Sequence, residues 1–168
     1  MLFRSGFSVA NNITLRSYYA TYRAFTTKST RSSATTNQLN YADAQALRRA
    51  VQKLDDFDFE NADKDDISSH VRAFIDTYNY TMDSAKSSTN SYATSTYKNL
   101  KNLASKYSKD LENIGIKENS SGYLTLSSSA VEKIRGSRFK SLLNKDSKFM
   151  KQLTTYAKRM ANNIDYYA

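Results

Sequence analysis

The sequence predicts a mainly α protein, an antiparallel coiled-coil-like helical bundle with one small β-hairpin inserted between its helices. Three observations predict it. There is no proline anywhere in 168 residues, so nothing interrupts long helices by removing an amide or fixing φ. Three separate stretches carry apolar side chains at alternating spacings of three and four, the period of a helix face. Between the second and third of these stretches the period changes to short alternating segments around a polar, glycine-ended turn, as in a hairpin.

Taken in order, residues 1–40 are basic and rich in Ser and Thr. From Thr26 to Asn37 the side chains are too small and polar to offset ordering entropy by burial, which predicts a flexible segment. Residues 1–40 as a whole are expected to be a flexible N-terminal segment, in which Leu15, Tyr18, Tyr19, Tyr22 and Phe25 could line one face of a short helix from Leu15 to Phe25. Residues 41–168 are expected to form the helical stem domain. Ala44, Leu47, Val51 and Leu54 predict a helix from Tyr41 to Leu54. The acidic stretch Asp55–Asp66 follows, with Phe57 and Phe59 as apolar anchors.

Ile67, Val71, Phe74, Tyr78, Met82 and Ala85 form the first seam. Tyr97, Leu100, Ala104, Tyr107, Leu111 and Ile114 form the second. The third is Phe149, Leu153, Tyr156, Met160 and Ile164. The strict repeat favours shallow packing between neighbouring helices and a rod or narrow bundle. A polar link from Ser87 to Ser95 allows the first two long helices to run antiparallel. The hairpin is placed at about residues 114–126, with Ile114-Gly115-Ile116 before the turn and Gly122-Tyr123-Leu124-Thr125-Leu126 after it. Ser129 and Glu132 match a capping box that would start the next helix, and Gly136 is expected to end it.

Composition bounds the function. Without cysteine there is neither disulfide framework nor thiolate chemistry. The formal charge of +9 raises the question of nucleic acid or an anionic surface. That charge is uneven, with residues 1–54 at +7, residues 55–66 at −6 and residues 67–168 at +8, which argues against one dedicated basic surface. No stretch approaches the roughly 20 apolar residues needed for a membrane span, and the first residues lack the apolar run of a secretory signal.

No chemical constellation stands out. Asp56, Asp58 and Glu60 alternate like calcium ligands, but the stretch holds no glycine, and Ile67 takes the place of the closing glutamate. Asp63, Asp65 and Asp66 are better explained as helix N-terminal carboxylates. His70 is the only histidine, so zinc and triad arrangements lack partners. Lys98, Lys101, Lys106 and Lys109 surround Tyr97 and Tyr107, yet the tyrosines fall on the seam and the lysines outside it, as in a core stripe beside a solvated face. Nucleic acid is therefore a poor expectation, and no enzyme, metal or cofactor is predicted.

Two segments carry a resemblance. Phe74-Ile75-Asp76-Thr77-Tyr78-Asn79 is similar to a helix of flagellar hook-associated protein 2, the filament cap. Leu111 to Ile116, followed by Gly122-Tyr123-Leu124-Thr125-Leu126-Ser127, resembles that family's hairpin, with Ser127 where aspartate is common. The order of elements agrees from about Ile67 to Ile164, and Phe139–Leu143 falls where the family carries a Leu-Phe pair. The resemblance implies a structural motif made of Phe74, Tyr78, Asn79, Leu111, Ile114, Gly115, Ile116, Gly122, Leu124 and Leu126, with Asn79 hydrogen-bonding near the hairpin.

It further implies a non-enzymatic assembly protein, extracellular or flagellum-associated through signal-less export. Such a protein would self-associate as a homo-oligomer, or bind flagellin or hook-associated subunits. The alternative is a cytoplasmic helical adaptor that binds nucleic acid or an acidic protein through its basic faces.

Overall fold

The computed structural model describes residues 9–168, with side chains from Ile13 onward. Expectations that fall on residues 1–8 lie outside the described residues. The elements run α1 (Val9–Tyr19), a 3-10 segment (Ala20–Thr26), α2 (Lys28–Ser33), α3 (Thr36–Asp56), α4 (Lys64–Lys86), α5 (Ser91–Lys106), α6 (Ser108–Glu112), β1 (Ile116–Glu118), β2 (Leu124–Leu126), α7 (Ser128–Lys133), α8 (Gly136–Leu143) and α9 (Lys148–Asn162). The fold is mainly α with one small antiparallel hairpin, as the sequence predicts.

Local chemistry sets the helix starts. Thr35 and Gln38 form a reciprocal capping box at the head of α3, which satisfies amides that a helix start would otherwise leave unpaired. Asp63 caps α4 by accepting from the Asp66 amide at 2.8 Å, with Asp65 and Asp66 in the first turn, where their charge complements the helix dipole. Asn90 caps α5, and Ser147 caps α9.

The centre of the molecule is α4. Its seam residues Ile67, Val71, Phe74, Tyr78, Met82 and Ala85 are all buried, but so is every residue from Ala73 to Met82. A two-helix seam would leave one face in water. Instead α1, α3, α5, β2 and α7 all pack against α4, which makes it the central helix of the bundle. Buried polar residues on α4, among them Thr77, Asn79, Thr81 and Ser84, made its sequence look one-sided. The links Phe57–Asp63 and Ser87–Asn90 are short, so α3, α4 and α5 run as antiparallel neighbours. The second link is therefore shorter than the expected Ser87–Ser95, because the Asn90 cap lets α5 begin at Ser91.

Further boundaries differ from expectation. The stretch Thr26–Asn37, read from composition as flexible, forms α2 and the first turn of α3. The helical region thus begins well before Tyr41. The cause is specific polar burial, since Arg31 of α2 is anchored on Asp43 of α3. The second seam is continuous in burial but not in helix, because Tyr107 (φ −104, ψ 20) separates α5 from α6. Ser127 rather than Ser129 caps α7, accepting from the Ala130 amide at 3.3 Å. Serine and aspartate both serve in that position.

Gly136 starts α8 instead of ending α7. A Cβ there would lie 1.9 Å from the Phe59 carbonyl oxygen, so the site needs glycine for close approach. Phe59 in turn is buried and stacks on Phe139 at 5.9 Å. Among the described residues, no helix is long and apolar enough to cross a membrane.

Candidate functional site

Of the residues singled out from sequence, Tyr78, Asn79, Gly122 and Leu124 meet where the hairpin packs on α4. β1 and β2 pair in the register Ile116 with Leu126, Lys117 with Thr125 and Glu118 with Leu124. Ile116 and Leu124 are buried and Leu126 is half-buried, while Lys117 and Thr125 are exposed, the alternation of a strand with one covered face. The turn is organised by Asn119, whose Oδ1 accepts from the amides of Ser121 and Tyr123 at 2.9 and 3.0 Å. Gly115 and Gly122 have φ of 81° and 86°, a region in which a side chain costs roughly 1 kcal/mol or more.

Two α4 side chains hold this hairpin. Asn79 Nδ2 donates to the Leu124 carbonyl at 2.9 Å, and the Leu124 amide donates to Asn79 Oδ1 at 2.9 Å. Asn79 thereby supplies the pairing that a third strand would provide. One helical position earlier, Tyr78 Oη lies 2.9 Å from the Gly122 carbonyl and 3.1 Å from that of Leu100, so one proton ties the hairpin turn to α5. Burial holds the Tyr78 phenol well above its ordinary pKa, and it remains a donor. Phe74, Leu111 and Ile114 are buried in the same core. On the outer side Tyr123 Oη donates to Asp83 Oδ1 at 2.5 Å.

A second polar cluster was not singled out in the sequence. Asp43, fully buried on α3, receives Arg31 through both carboxylate oxygens at 2.8 and 2.9 Å. Tyr19 Oη donates to its Oδ1 at 2.5 Å and Ser84 Oγ to its Oδ2 at 2.7 Å. Both oxygens therefore accept two hydrogen bonds each, full satisfaction for a carboxylate. The Arg31 guanidinium also donates to the Phe25 carbonyl at 3.1 Å and lies 4.0 Å from the centre of the Tyr80 ring. Burial opposes the charge on Arg31, but Asp43 outweighs it and raises the pKa further. For Tyr19, burial and then Asp43 both raise it. The sequence did carry one signal, because Asp43 is the only acid among the first 54 residues.

Among the described residues, the surface carries a broad concavity beside α3. An open groove of about 1100 Å³ lies between the end of α1, the outer face of α3 and the start of α9. Arg48, Arg49, Lys53, Lys145 and Lys151 line it, against Asp56 and Asp146. Lys145 approaches Asp55 at 3.9 Å, and Arg48 is steadied by Gln45 at 2.9 Å. Arg48, Arg49, Lys53 and Lys151 have no carboxylate partner among the described residues. At the rim, Ala20 has φ 50°, a left-handed conformation of the kind that persists only where the surroundings hold it.

The expected flank position of His70 is observed. It is half-buried, stacks on Phe57 at 3.9 Å, and places Nδ1 2.9 Å from the Asp66 carbonyl oxygen. Lys98, Lys101, Lys106 and Lys109 are all exposed beside a buried stripe. Among the described residues, no group of three His, Cys, Asp or Glu side chains is placed to hold a metal. Comparison with protein families, with curated proteins and with solved structures finds no match for this chain.

Proposed function

We propose that this chain is a non-enzymatic structural or assembly protein of the flagellar cap-stem kind. It leaves the cell through the flagellar export route and acts by helix-mediated self-association or by binding flagellar subunits. The observation that supports this reading is the joint between α4 and the hairpin. The residues behind the resemblance, Tyr78 and Asn79 on one side and Gly122 and Leu124 on the other, meet in direct hydrogen bonds. Their polar groups serve the scaffold, which leaves function to the outer faces of the helices.

A second reading, a cytoplasmic adaptor for an acidic partner, is favoured by the groove beside α3. Asp56 and Asp146 in its lining suit discrete carboxylates better than a continuous phosphodiester, whose evenly spaced charges they would oppose. The two readings separate on fractionation of the native host. Tagged protein is followed in cells, sheared filaments and medium, with and without a working flagellar export gate. Gate-dependent appearance outside the cell is the expected result. Retention in the cytoplasm under both conditions would remove the flagellar reading and leave the adaptor.

A further inference from the structure

The acidic turn between α3 and α4 and the basic groove lie side by side, because both are built on the C-terminal half of α3. Asp56 lines the groove, and the next residues begin the turn. Residues 55–66 carry a net charge of −6. Asp58, Glu60, Asp65 and Asp66 are exposed there, and none forms an ion pair among the described residues. The groove presents the opposite excess, with Arg49, Lys53 and Lys151 exposed and without a carboxylate partner.

The turn is also held out as a fixed shape. Phe59 is buried against Phe139, Asp58 is tied to Asn61, and Gly136 presses on the Phe59 carbonyl. Its carboxylates therefore cannot fold back over the groove of their own chain without dislodging a buried ring.

We propose that this face docks a second copy of the chain, the acidic turn of each copy entering the basic groove of the other. Two complementary patches that adjoin at Asp56 suit a two-fold interface, since each copy then offers both halves of the contact. The attraction rests on several charges near water, so it is weak per pair and strongly dependent on salt. The inference rests on the assembly reading and names its self-contact. Lack of self-association would leave binding to other flagellar subunits, and the export test, untouched.

Sedimentation equilibrium of the full chain over a concentration series tests it. The expected result is twice the chain mass at an ionic strength of about 0.01 M, where the Debye length is about 30 Å, and the single-chain mass at about 1 M, where it is about 3 Å. Two exposed double variants separate the halves: Arg49→Glu with Lys53→Glu in the groove, and Glu60→Lys with Asp65→Lys in the turn. Each alone should be monomeric with circular dichroism like the parent, and an equimolar mixture should regain the doubled mass.

Should a reversal variant fail to fold, Arg49→Gln with Lys53→Gln gives the same groove test without adding acids. A parent that is monomeric at low salt overturns the proposal, as does a dimer unmoved by the groove variant or a mixture that stays monomeric. A monomeric parent whose groove binds an oligoglutamate peptide overturns it in favour of a foreign acidic segment.

Discussion

Asn79 bridges both backbone polar groups of Leu124, donating to its carbonyl and accepting from its amide, each at 2.9 Å. This two-point contact joins a two-stranded sheet, too small to be stable alone, to the most buried helix of the protein. It also fixes the orientation of the Asn79 amide, because only one flip satisfies both partners.

Asn79→Ala should therefore cost about 2–6 kcal/mol, the range for leaving two buried backbone groups unsatisfied. Asn79→Asp should cost a similar amount, since it loses the donor to the carbonyl and sets a buried carboxylate oxygen against that carbonyl oxygen. Urea denaturation gives both values. A change below 1 kcal/mol on this same scale would mean that the hairpin is not secured by this residue.

Asp43→Ala should destabilise by about 3–5 kcal/mol, because it strands the charge of Arg31 next to the core. Replacing both partners, Arg31→Met with Asp43→Leu, should cost clearly less than the sum of the single changes. A double-mutant cycle measures the coupling. Additive losses would show that the pair does not anchor α2 to α3.

Asn40 is fully buried on α3, and among the described residues neither end of its amide has a hydrogen-bond partner. It continues the spacing of Ala44, Leu47, Val51 and Leu54, so a polar group occupies an apolar position. Asn40→Leu should stabilise the protein by about 1–3 kcal/mol, the usual cost of an unsatisfied buried polar group. A rise in the thermal midpoint checks it, and a fall would reveal a partner for the amide.

Tyr18, Tyr19 and Tyr78 all have pKa values raised by burial above the ordinary 10.0. Above that pH the unfolded chain releases these protons while the folded chain keeps them. Folding stability is thus unaffected by these groups below about pH 10 and falls as pH rises, by about 1.4 kcal/mol per pH unit for each tyrosine. Tyrosinate absorbance and helical circular dichroism should change together in an alkaline titration. Tyrosines that all ionise near pH 10 with helix content intact would contradict this burial.

Much of this architecture was legible in the sequence because it depends on spacing. The seam of α4, the hairpin around Gly122 and the N-terminal carboxylates of α4 all follow from period and from local capping rules. What spacing could not convey was how many neighbours one helix has. Thr77, Thr81 and Ser84 look like a solvated face, yet their hydroxyls donate to the carbonyls of Ala73 and Thr77 and to the Asp43 carboxylate. Order in the Ser/Thr-rich stretch was hidden for the same reason, since it depends on Arg31 reaching an acid 12 residues away. The groove was hidden too, because Lys145 and Lys151 lie far along the chain from Arg48 and Arg49.

The most direct test of the joint between α4 and the hairpin is native-state hydrogen exchange at the Leu124 amide, read by NMR in the parent and in Asn79→Ala. The hairpin belongs to the cooperative core if this amide is protected in the parent to the full unfolding free energy and exchanges by local opening in the variant. Exchange from a frayed hairpin in the parent, at rates that the substitution leaves unchanged, would contradict that joint.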